Sequence, residues 1–368
     1  MREHFIAAAL TTLMILSLAS AANAQSTAPD ANAADLYARA ISLLKEDDTV
    51  PDSAVNAEYP PSSPQWHALA ATQWTAEAQA RDLVHQARSM PTATWPSDLA
   101  FYNTVRPLAV HMTAAAIYTH LQGNDAQAID LFRDINHMGD LLVDSPTKRV
   151  TPLIVGIGIQ ALAVYRLNII TSAVVLTNDP HNVHDLQVRT AKELIEELLD
   201  RPEPIDVLRQ AMGGESSPQW RDIVSQRQRL IANIQLITVE QQLAAMSLAC
   251  HVFKFEKGRW PNSLDELIPD DLPRPILDPW GDGSQTLGYA LIKGGLPDGS
   301  DRPLVYDRQN SADGLCYFPN RVEFGVYTQE DGSTRPISEL KHYGQFRDVT
   351  RWEPLKNFTG ATALPIPQ

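Results

Sequence analysis

Residues 236–258 have a pattern of apolar side chains that fits a long amphipathic helix. One apolar set recurs at alternating steps of three and four residues: Leu236, Val239, Leu243, Met246, Cys250 and Phe253. Such spacing places these side chains on a single stripe of a helix. The positions between them predict a solvated opposite side: Glu240, Gln241, Gln242 and Lys254. Gly258 predicts the end of the helix because glycine tolerates the left-handed conformation, and Pro261 prevents an immediate restart.

A short helical turn and a stiff loop are predicted next. Ser263 and Glu266 have the spacing of a capping box at the start of a new turn. Four prolines then predict an extended loop: Pro269, Pro273, Pro275 and Pro279. Beyond Tyr289, Gly-Gly and Asp-Gly turn pairs separate short strand candidates at 304–306, 315–318 and 322–327. This stretch therefore predicts a small antiparallel sheet.

The chain before residue 236 has the sequence pattern of an all-helical domain. Residues 98–143 predict a helical hairpin whose turn contains Gly123 and Asn124 and whose second helix starts at Asp125. The hairpin spacing does not recur at the ~34-residue period that a helical repeat array would need. We therefore predict one helical-hairpin domain and, for the whole chain, the α+β class.

These patterns divide the chain into five segments. Residues 1–24 are a signal peptide, 25–32 a disordered leader and 33–215 the all-α domain. Residues 216–355 hold the long helix and its sheet, and 356–368 form a C-terminal tail. The long helix itself carries the boundary between the two folded parts.

The first 24 residues have the three parts of a secretory signal. Arg2 precedes an apolar run from Phe5 to Leu18, and the sequence Ala-Asn-Ala ends at Ala24. This arrangement predicts export to the periplasm or the medium, with cleavage after Ala24. The apolar run has no following cysteine, which argues against a lipid anchor.

Charge and hydropathy restrict the partners. The formal net charge of −14 disfavours binding to nucleic acid or to anionic lipid. Residues 152–176 are apolar enough to suggest a membrane helix, but Arg166 and Asn168 lie near their centre. A mid-membrane arginine costs about 2.5–3.5 kcal/mol even on the lenient insertion scale. A buried central helix is the favoured interpretation, so no membrane span is expected after signal cleavage.

Residues 235–355 resemble the major pseudopilins of type II secretion. The resemblance rests on the sequences Lys-Gly-Arg-Trp-Pro at 257–261, Ser-Leu-Asp-Glu-Leu-Ile-Pro at 263–269 and Leu-Asp-Pro-Trp-Gly at 277–281. Asp348 and Val349, followed by Trp352, resemble the acidic loop that closes that fold. The whole chain is similar to exported bacterial proteins that join a helical region to a pseudopilin-like tail. The resemblance implies a long helix packed on a small antiparallel sheet.

The pseudopilin resemblance also implies a calcium site in the tail. The position matching the family's calcium-binding loop is Asp348, and Asp313 is a candidate second carboxylate from a sheet turn. Calcium requires six to eight oxygen ligands, so backbone carbonyls would have to supply most of them. Arg347 and Arg351 flank Asp348, and an ion pair without metal is the favoured alternative.

Several short motifs suggest chemistry. Gly156, Gly158 and Ala161 match the dinucleotide-binding pattern Gly-x-Gly-x-x-Ala, with Asp179 about 20 residues later. Close helix packing explains the same glycines better, because the apolar run before them is too short for a strand. His181 and His184 are too few for a metal site. Cys250 and His251 point about 100° apart on a helix and do not predict a dyad.

The two cysteines leave two interpretations open. Cys250 lies on the helix stripe and Cys316 in a strand candidate that would cover it. An exported protein can form a disulfide between them, whereas two buried thiols are the alternative. No residue is predicted to be catalytic or to bind an organic cofactor.

The sequence favours one function class over another. The favoured class is an exported, non-catalytic structural or protein-interaction protein of the cell envelope, with protein partners there. The alternative is an envelope hydrolase with a pocket in the helical domain, which would be revealed by converging polar side chains with perturbed pKa values.

Overall fold

The computed structural model describes residues 32–44, 61, 63–96, 99–145, 150–226, 228–279, 285–294, 298–307, 326–328, 334–336 and 346–349. Its helices, in chain order, are α1 Ala33–Leu43, α2 Pro64–Ala76, α3 Ala78–Ala87, α4 Leu99–Leu121, α5 Asp125–Val143, α6 Val150–Thr171, α7 Val188–Asp200, α8 Pro204–Ala211, α9 Pro218–Gln226, α10 Gln228–Lys257 and a 3-10 turn Leu264–Leu267. Two short strands, β1 Leu176–Thr177 and β2 Leu186–Gln187, pair in parallel between α6 and α7.

The predicted helical hairpin is confirmed. Helices α4 and α5 pack against each other across a turn in which Gly123 has a φ of +76°, a value that glycine adopts without a Cβ penalty. The Asn124 side chain accepts a hydrogen bond from the Gln127 backbone N–H at 3.2 Å and so caps α5.

Helix α6 is the centre of the helical part. It packs against α4, α5, α8 and α10, and its buried side chains include Ile159, Val164, Leu167 and Ile170. Two helical segments, Thr151–Thr171 and Ile234–Lys257, have the length and hydropathy of a membrane span, and 67% and 89% of their most apolar windows are buried inside the protein. A helix that is apolar on several sides is suited to a position surrounded by other helices.

Helix α10 is buried on two sides, and this corrects the predicted solvated side. The apolar stripe is buried as expected, with Val239, Leu243 and Met246 fully covered. Glu240 and Gln241, however, are also buried, because α6 and α7 pack on that side of α10. The Asn168 amide of α6 donates a hydrogen bond to the Glu240 carboxylate at 2.6 Å. This bond offsets part of the cost of burying the carboxylate.

The predicted break after α10 is correct, whereas the predicted capping box is wrong. Gly258 has a φ of +71°, as expected for a residue that ends a helix. The Ser263 side chain makes no capping hydrogen bond. The Glu266 carboxylate instead accepts from the Asn262 backbone N–H at 3.0 Å and from the Arg259 guanidinium at 2.8 Å. A charge-assisted bond to arginine is stronger than a neutral one, and it lowers the pKa of Glu266 to about 2.

The tail contains the predicted antiparallel sheet. Strands β3 Gly288–Ile292, β4 Arg302–Tyr306 and β7 Phe346–Asp348 form a three-stranded antiparallel sheet in the order β3-β4-β7. A separate antiparallel pair joins β5 Val326–Thr328 to β6 Thr334–Pro336. The α+β class is therefore confirmed. The strand candidate at 315–318 lies outside the described residues, as does the candidate at 322–327 except for its last two residues, which belong to β5.

One hydrophobic core runs through both predicted parts of the chain. The same cluster of buried side chains contains Tyr37 of α1, Ile159 of α6, Leu243 of α10 and Val305 of β4. Helix α10 is the element that joins them, because it packs against α6, α7 and α8 and also against β4.

Candidate functional site: a charged cleft in the helical part

A cleft of about 630 Å³ opens between α5 and the connection from α7 to α8, with α6 behind it. Its size falls within the ~300–1,000 Å³ typical of small-molecule sites. The lining residues are Arg88, Arg133, Asn136, His137, Asp140, Val143, Asp144, Gln160, Glu197, Asp200, Arg201, Pro202, Pro204 and Val207.

The helical period of α5 produces one wall of the cleft. Polar residues recur along this helix at steps of three and four residues and so share one face: Arg133, Asn136 or His137, Asp140 and Asp144. The sides of α5 that point away from the cleft carry Phe132 and Ile135, which are fully buried. The other wall turns at Pro202 and Pro204, and Pro204 occupies the first turn of α8, where its missing N–H has no partner to lose.

Ion pairs link the two walls. The Arg133 guanidinium donates to both Glu197 carboxylate oxygens, at 3.0 and 2.7 Å. The Arg201 guanidinium donates to Asp140 Oδ2 at 3.1 Å, and the Gln160 amide donates to Asp140 Oδ1 at 2.7 Å. Asp140 thus connects α5, α6 and the end of α7, and the bidentate Arg133 pair fixes the spacing of the walls.

A third arginine closes one end of the cleft. The Arg88 guanidinium lies 3.1 Å from the buried Asp134 carboxylate and 3.2 Å from Asp130. His85 lies on the other side of Asp134, with Nδ1 3.1 Å from its Oδ2. Burial raises the pKa of the Asp134 carboxyl although Arg88 and His85 act to lower it.

Asp144, which follows the last residue of α5, is exposed to solvent. Among the described residues no cationic side chain lies within ion-pair distance of its carboxylate. Burial raises the pKa of Asp144, and repulsion from Asp140 one helical turn away raises it further.

Two buried polar atoms of the lining have no hydrogen-bond partner within the described part of the chain. These are the Asn136 side-chain oxygen, on a residue that is 4% exposed, and Arg201 Nη1. An unsatisfied buried acceptor or donor typically costs about 1–3 kcal/mol. Both atoms are shielded from solvent, so they lie behind the surface of the cleft, whereas Asp144 is exposed to solvent.

The residues predicted from sequence as sites do not lie in this cleft. Cys250 is fully buried in α10, where burial raises the pKa of its thiol. Asp313 and Cys316 lie outside the described residues, so the Cys250–Cys316 disulfide stays a prediction. The backbone of Asp348 lies in β7 opposite Leu304, and its side chain is outside the described part, so the calcium site is also untested.

The dinucleotide-like motif lies inside a helix. Gly156 and Gly158 are both in α6, and residues 153–155, which the dinucleotide pattern would require to be a strand, belong to the same helix. A Cβ on Gly156 would lie 2.7 Å from the Gly139 carbonyl oxygen of α5, so this glycine permits close contact between two helices. His181 and His184 lie in the exposed loop between β1 and β2. No group of three or more His, Cys, Asp or Glu side chains suited to a metal occurs among the described residues.

Sequence reasoning missed the cleft. The local signal is the polar series on α5 from Arg133 to Asp144, a pattern that any solvated helix face also shows. Its partners Arg88, Gln160 and Arg201 lie far away along the chain. Comparison with protein-family models, curated proteins and solved structures found no match for this chain.

Proposed function

We propose that this chain is an exported, non-catalytic interaction protein of the cell envelope whose helical part recognises a partner through the charged cleft. The tail serves as a pseudopilin-like structural element beneath it. The three-part leader of residues 1–24 supports export, and the net charge of −14 disfavours nucleic acid or an anionic membrane as the partner.

The ion-paired lining of the cleft is the observation that carries this proposal. Arg133 and Arg201 are each held by a carboxylate of the protein itself, which fixes their direction before any partner arrives. Fixed guanidinium, carboxylate and amide groups are suited to recognition, because little side-chain freedom is lost on binding. These groups are not activated nucleophiles of the kind that covalent hydrolases use.

The pseudopilin-like assignment of the tail is supported by its local connections. The Tyr289 hydroxyl of β3 donates to the Pro261 carbonyl at 2.7 Å, which joins the sheet to the turn after α10. The His251 imidazole of α10 contacts the Val349 carbonyl just after β7. A long helix thus packs against β4 and is tied to both ends of the sheet.

Site-specific photocrosslinking in the exporting cell tests the proposal. A photoreactive amino acid at Val207, in the cleft, is expected to give a discrete adduct with an envelope protein. The same probe at Val183, an exposed loop residue away from the cleft, serves as the control. Asp200→Lys reverses a charge on the cleft rim and should remove the Val207 adduct. Equal adducts at both positions, or none at Val207, would contradict the proposal.

A hydrolase remains the second candidate because of one observation. Asp140 and Asp144 form a carboxylate pair on one helix face, and the pKa of Asp144 is raised, as in acid/base pairs. The test is hydrolysis of a panel of peptide, ester and glycoside substrates by the purified protein. Activity lost in Asp144→Asn, with the fold retained, would favour the enzyme.

A further inference from the structure

A lysine and two carboxylates from three separate elements meet where the helical part contacts the tail. Lys192 lies on α7, Glu256 in the last turn of α10, and Asp271 just after the 3-10 turn. Lys192 Nζ is 2.9 Å from Glu256 Oε1 and 3.2 Å from Asp271 Oδ1. One amine is therefore held against two carboxyl groups, and the surroundings of these two groups differ.

Asp271 is the buried member of this group. Its side chain is 1% exposed, whereas those of Lys192 and Glu256 are 32% and 30% exposed. Both Asp271 oxygens are shielded from solvent, and neither makes a hydrogen bond of good geometry within the described part of the chain. A buried carboxylate with so little compensation is costly, and burial raises the pKa of Asp271 against the opposing effect of Lys192. A reaction that removes both charges would remove this cost.

The surrounding backbone holds the amine and the buried carboxyl group in place. Helices α7 and α10 pack against each other. The Asp271 and Leu272 backbone N–H groups both donate to the Leu267 carbonyl oxygen, at 2.8 and 2.9 Å, and Leu272 is buried. Asp271 Cγ is one C–O bond, about 1.2 Å, from the oxygen that Lys192 Nζ contacts. Well-oriented groups within one molecule react with effective concentrations of roughly 10⁵–10⁸ M, which favours bond formation between them.

We infer that Lys192 and Asp271 condense to an intramolecular amide, which joins α7 to the tail covalently, with Glu256 as the proton carrier. Glu256 takes two protons in turn from Nζ and passes them to one Asp271 oxygen. The freed amine forms a C–N bond at Asp271 Cγ, the C–O bond to the protonated oxygen breaks, and one water leaves. The ammonium and carboxylate charges cancel, so the product is a neutral amide and the step needs no oxidant, reductant or second substrate.

Glu256 is the group that the reaction needs beside the amine. Burial acts to lower the pKa of Lys192, but the bonds to Glu256 and Asp271 raise it overall, so a base has to remove a proton before the amine can attack. Glu256 lies within hydrogen-bond reach of Nζ, as a general base must. The amide would close a loop from residue 192 to 271 that contains α8, α9 and α10. This bond goes beyond the proposed recognition function, because none of the three side chains lines the cleft.

Mass spectrometry of the full exported chain tests this assignment. The denatured protein should be lighter than its sequence requires by the mass of one water. After digestion with trypsin, which does not cut the Arg-Pro bonds at 201 and 274, the peptides 190–209 and 260–293 should form one covalently joined species. The joined peptides identify the bond, because dehydration within a single aspartate would leave them separate.

Two conservative variants assign the roles. Lys192→Arg keeps the positive charge, but a guanidinium group stays protonated and cannot attack, so this variant should have its full mass. Glu256→Gln lacks the base and should slow the appearance of joined peptides in pulse-labelled cells by roughly 10²-fold or more, the usual contribution of general acid–base catalysis. Lys257→Arg and Glu193→Gln change the same residue types on α10 and α7, away from Asp271, and should form the bond as the unaltered chain does.

The peptide map of the unaltered chain decides the assignment even where a variant fails to fold. The assignment is overturned if this chain has its full mass and yields the two peptides separately, or if joined peptides persist in Lys192→Arg. Joined peptides that form at an unchanged rate in Glu256→Gln would overturn the role of Glu256 as proton carrier.

Discussion

Gly156 and Gly158 show how two residues of one motif differ in their physical role. Both lie on α6, two positions apart, and both belong to the same Gly-x-Gly-x-x-Ala pattern. A Cβ on Gly156 would meet the Gly139 carbonyl oxygen at 2.7 Å and Leu142 Cβ at 2.9 Å. A Cβ on Gly158 would meet nothing within 4 Å.

We therefore predict opposite effects for two alanine substitutions. Gly156→Ala should lower the free energy of unfolding by about 1–3 kcal/mol, the usual cost of overpacking a core. Gly158→Ala should raise it by about 0.5–1 kcal/mol, because alanine is the better helix former. Urea denaturation of both variants measures this. A stabilised Gly156→Ala would show that α5 and α6 are not in the close contact described.

Local sequence features predicted the role of a residue correctly where that role requires one particular backbone conformation. Gly123 and Gly258 were located correctly at helix ends because positive φ is a local requirement. The role of Ser263 was predicted wrongly because Glu266 had a competing partner. Arg259 and Asn262 both reach that carboxylate, and a capping pattern says nothing about such competition.

At the scale of elements, the contact between α10 and the segment after β7 depends on one imidazole. His251 Nε2 donates to the Val349 carbonyl oxygen at 2.6 Å, and the ring packs edge-on against Trp260 at 5.3 Å between centroids. Burial is the main cause that lowers the pKa of His251 to about 4; Lys254 acts in the same direction, whereas the hydrogen bond to the Val349 carbonyl and the charge of Asp125 oppose it.

This lowered pKa predicts that acid weakens the fold. The unfolded chain, in which histidine has a pKa near 6.5, takes up the proton first as the pH falls. The free energy of unfolding should therefore be unaffected by His251 above pH 6.5 and decrease between pH 6.5 and about 4, by at most about 3 kcal/mol. The stability difference between the unaltered chain and His251→Gln, measured at several pH values, isolates this group. A difference that stays constant from pH 7 to pH 4 would contradict it.

Helix α10 also shows what periodicity alone cannot predict. The apolar stripe correctly indicated one buried side, and the position of the sheet followed from it. The burial of Glu240 was not predictable, because it depends on α6 and α7, which come from distant parts of the chain. Local patterns indicate which side is apolar, whereas tertiary packing decides how many sides are covered.

At the scale of the whole molecule, the cleft was hidden for a related reason. Its lining comes from α5, α6, the α7–α8 connection and Arg88, and no two of these segments share a recognisable motif. Taken singly, each charged residue is typical of a protein surface. The ion pairs Arg133–Glu197 and Arg201–Asp140 exist only once the helices have packed. Fold class was therefore predictable, and the candidate site was not.

The single core predicts that the helical part and the tail unfold together. Helix α10 shares its buried side chains with α6 on one side and with β4 on the other, so neither part keeps a complete core alone. In urea, hydrogen exchange in α6 and in the β3–β4 pair should lose protection at the same concentration, as a two-state transition requires. Gly156→Ala, which perturbs only the contact between α5 and α6, should lower both midpoints equally, and Gly158→Ala should lower neither. Loss of protection in α6 while β3 and β4 stay protected would instead show two independently stable domains, as the predicted division into residues 33–215 and 216–355 implies.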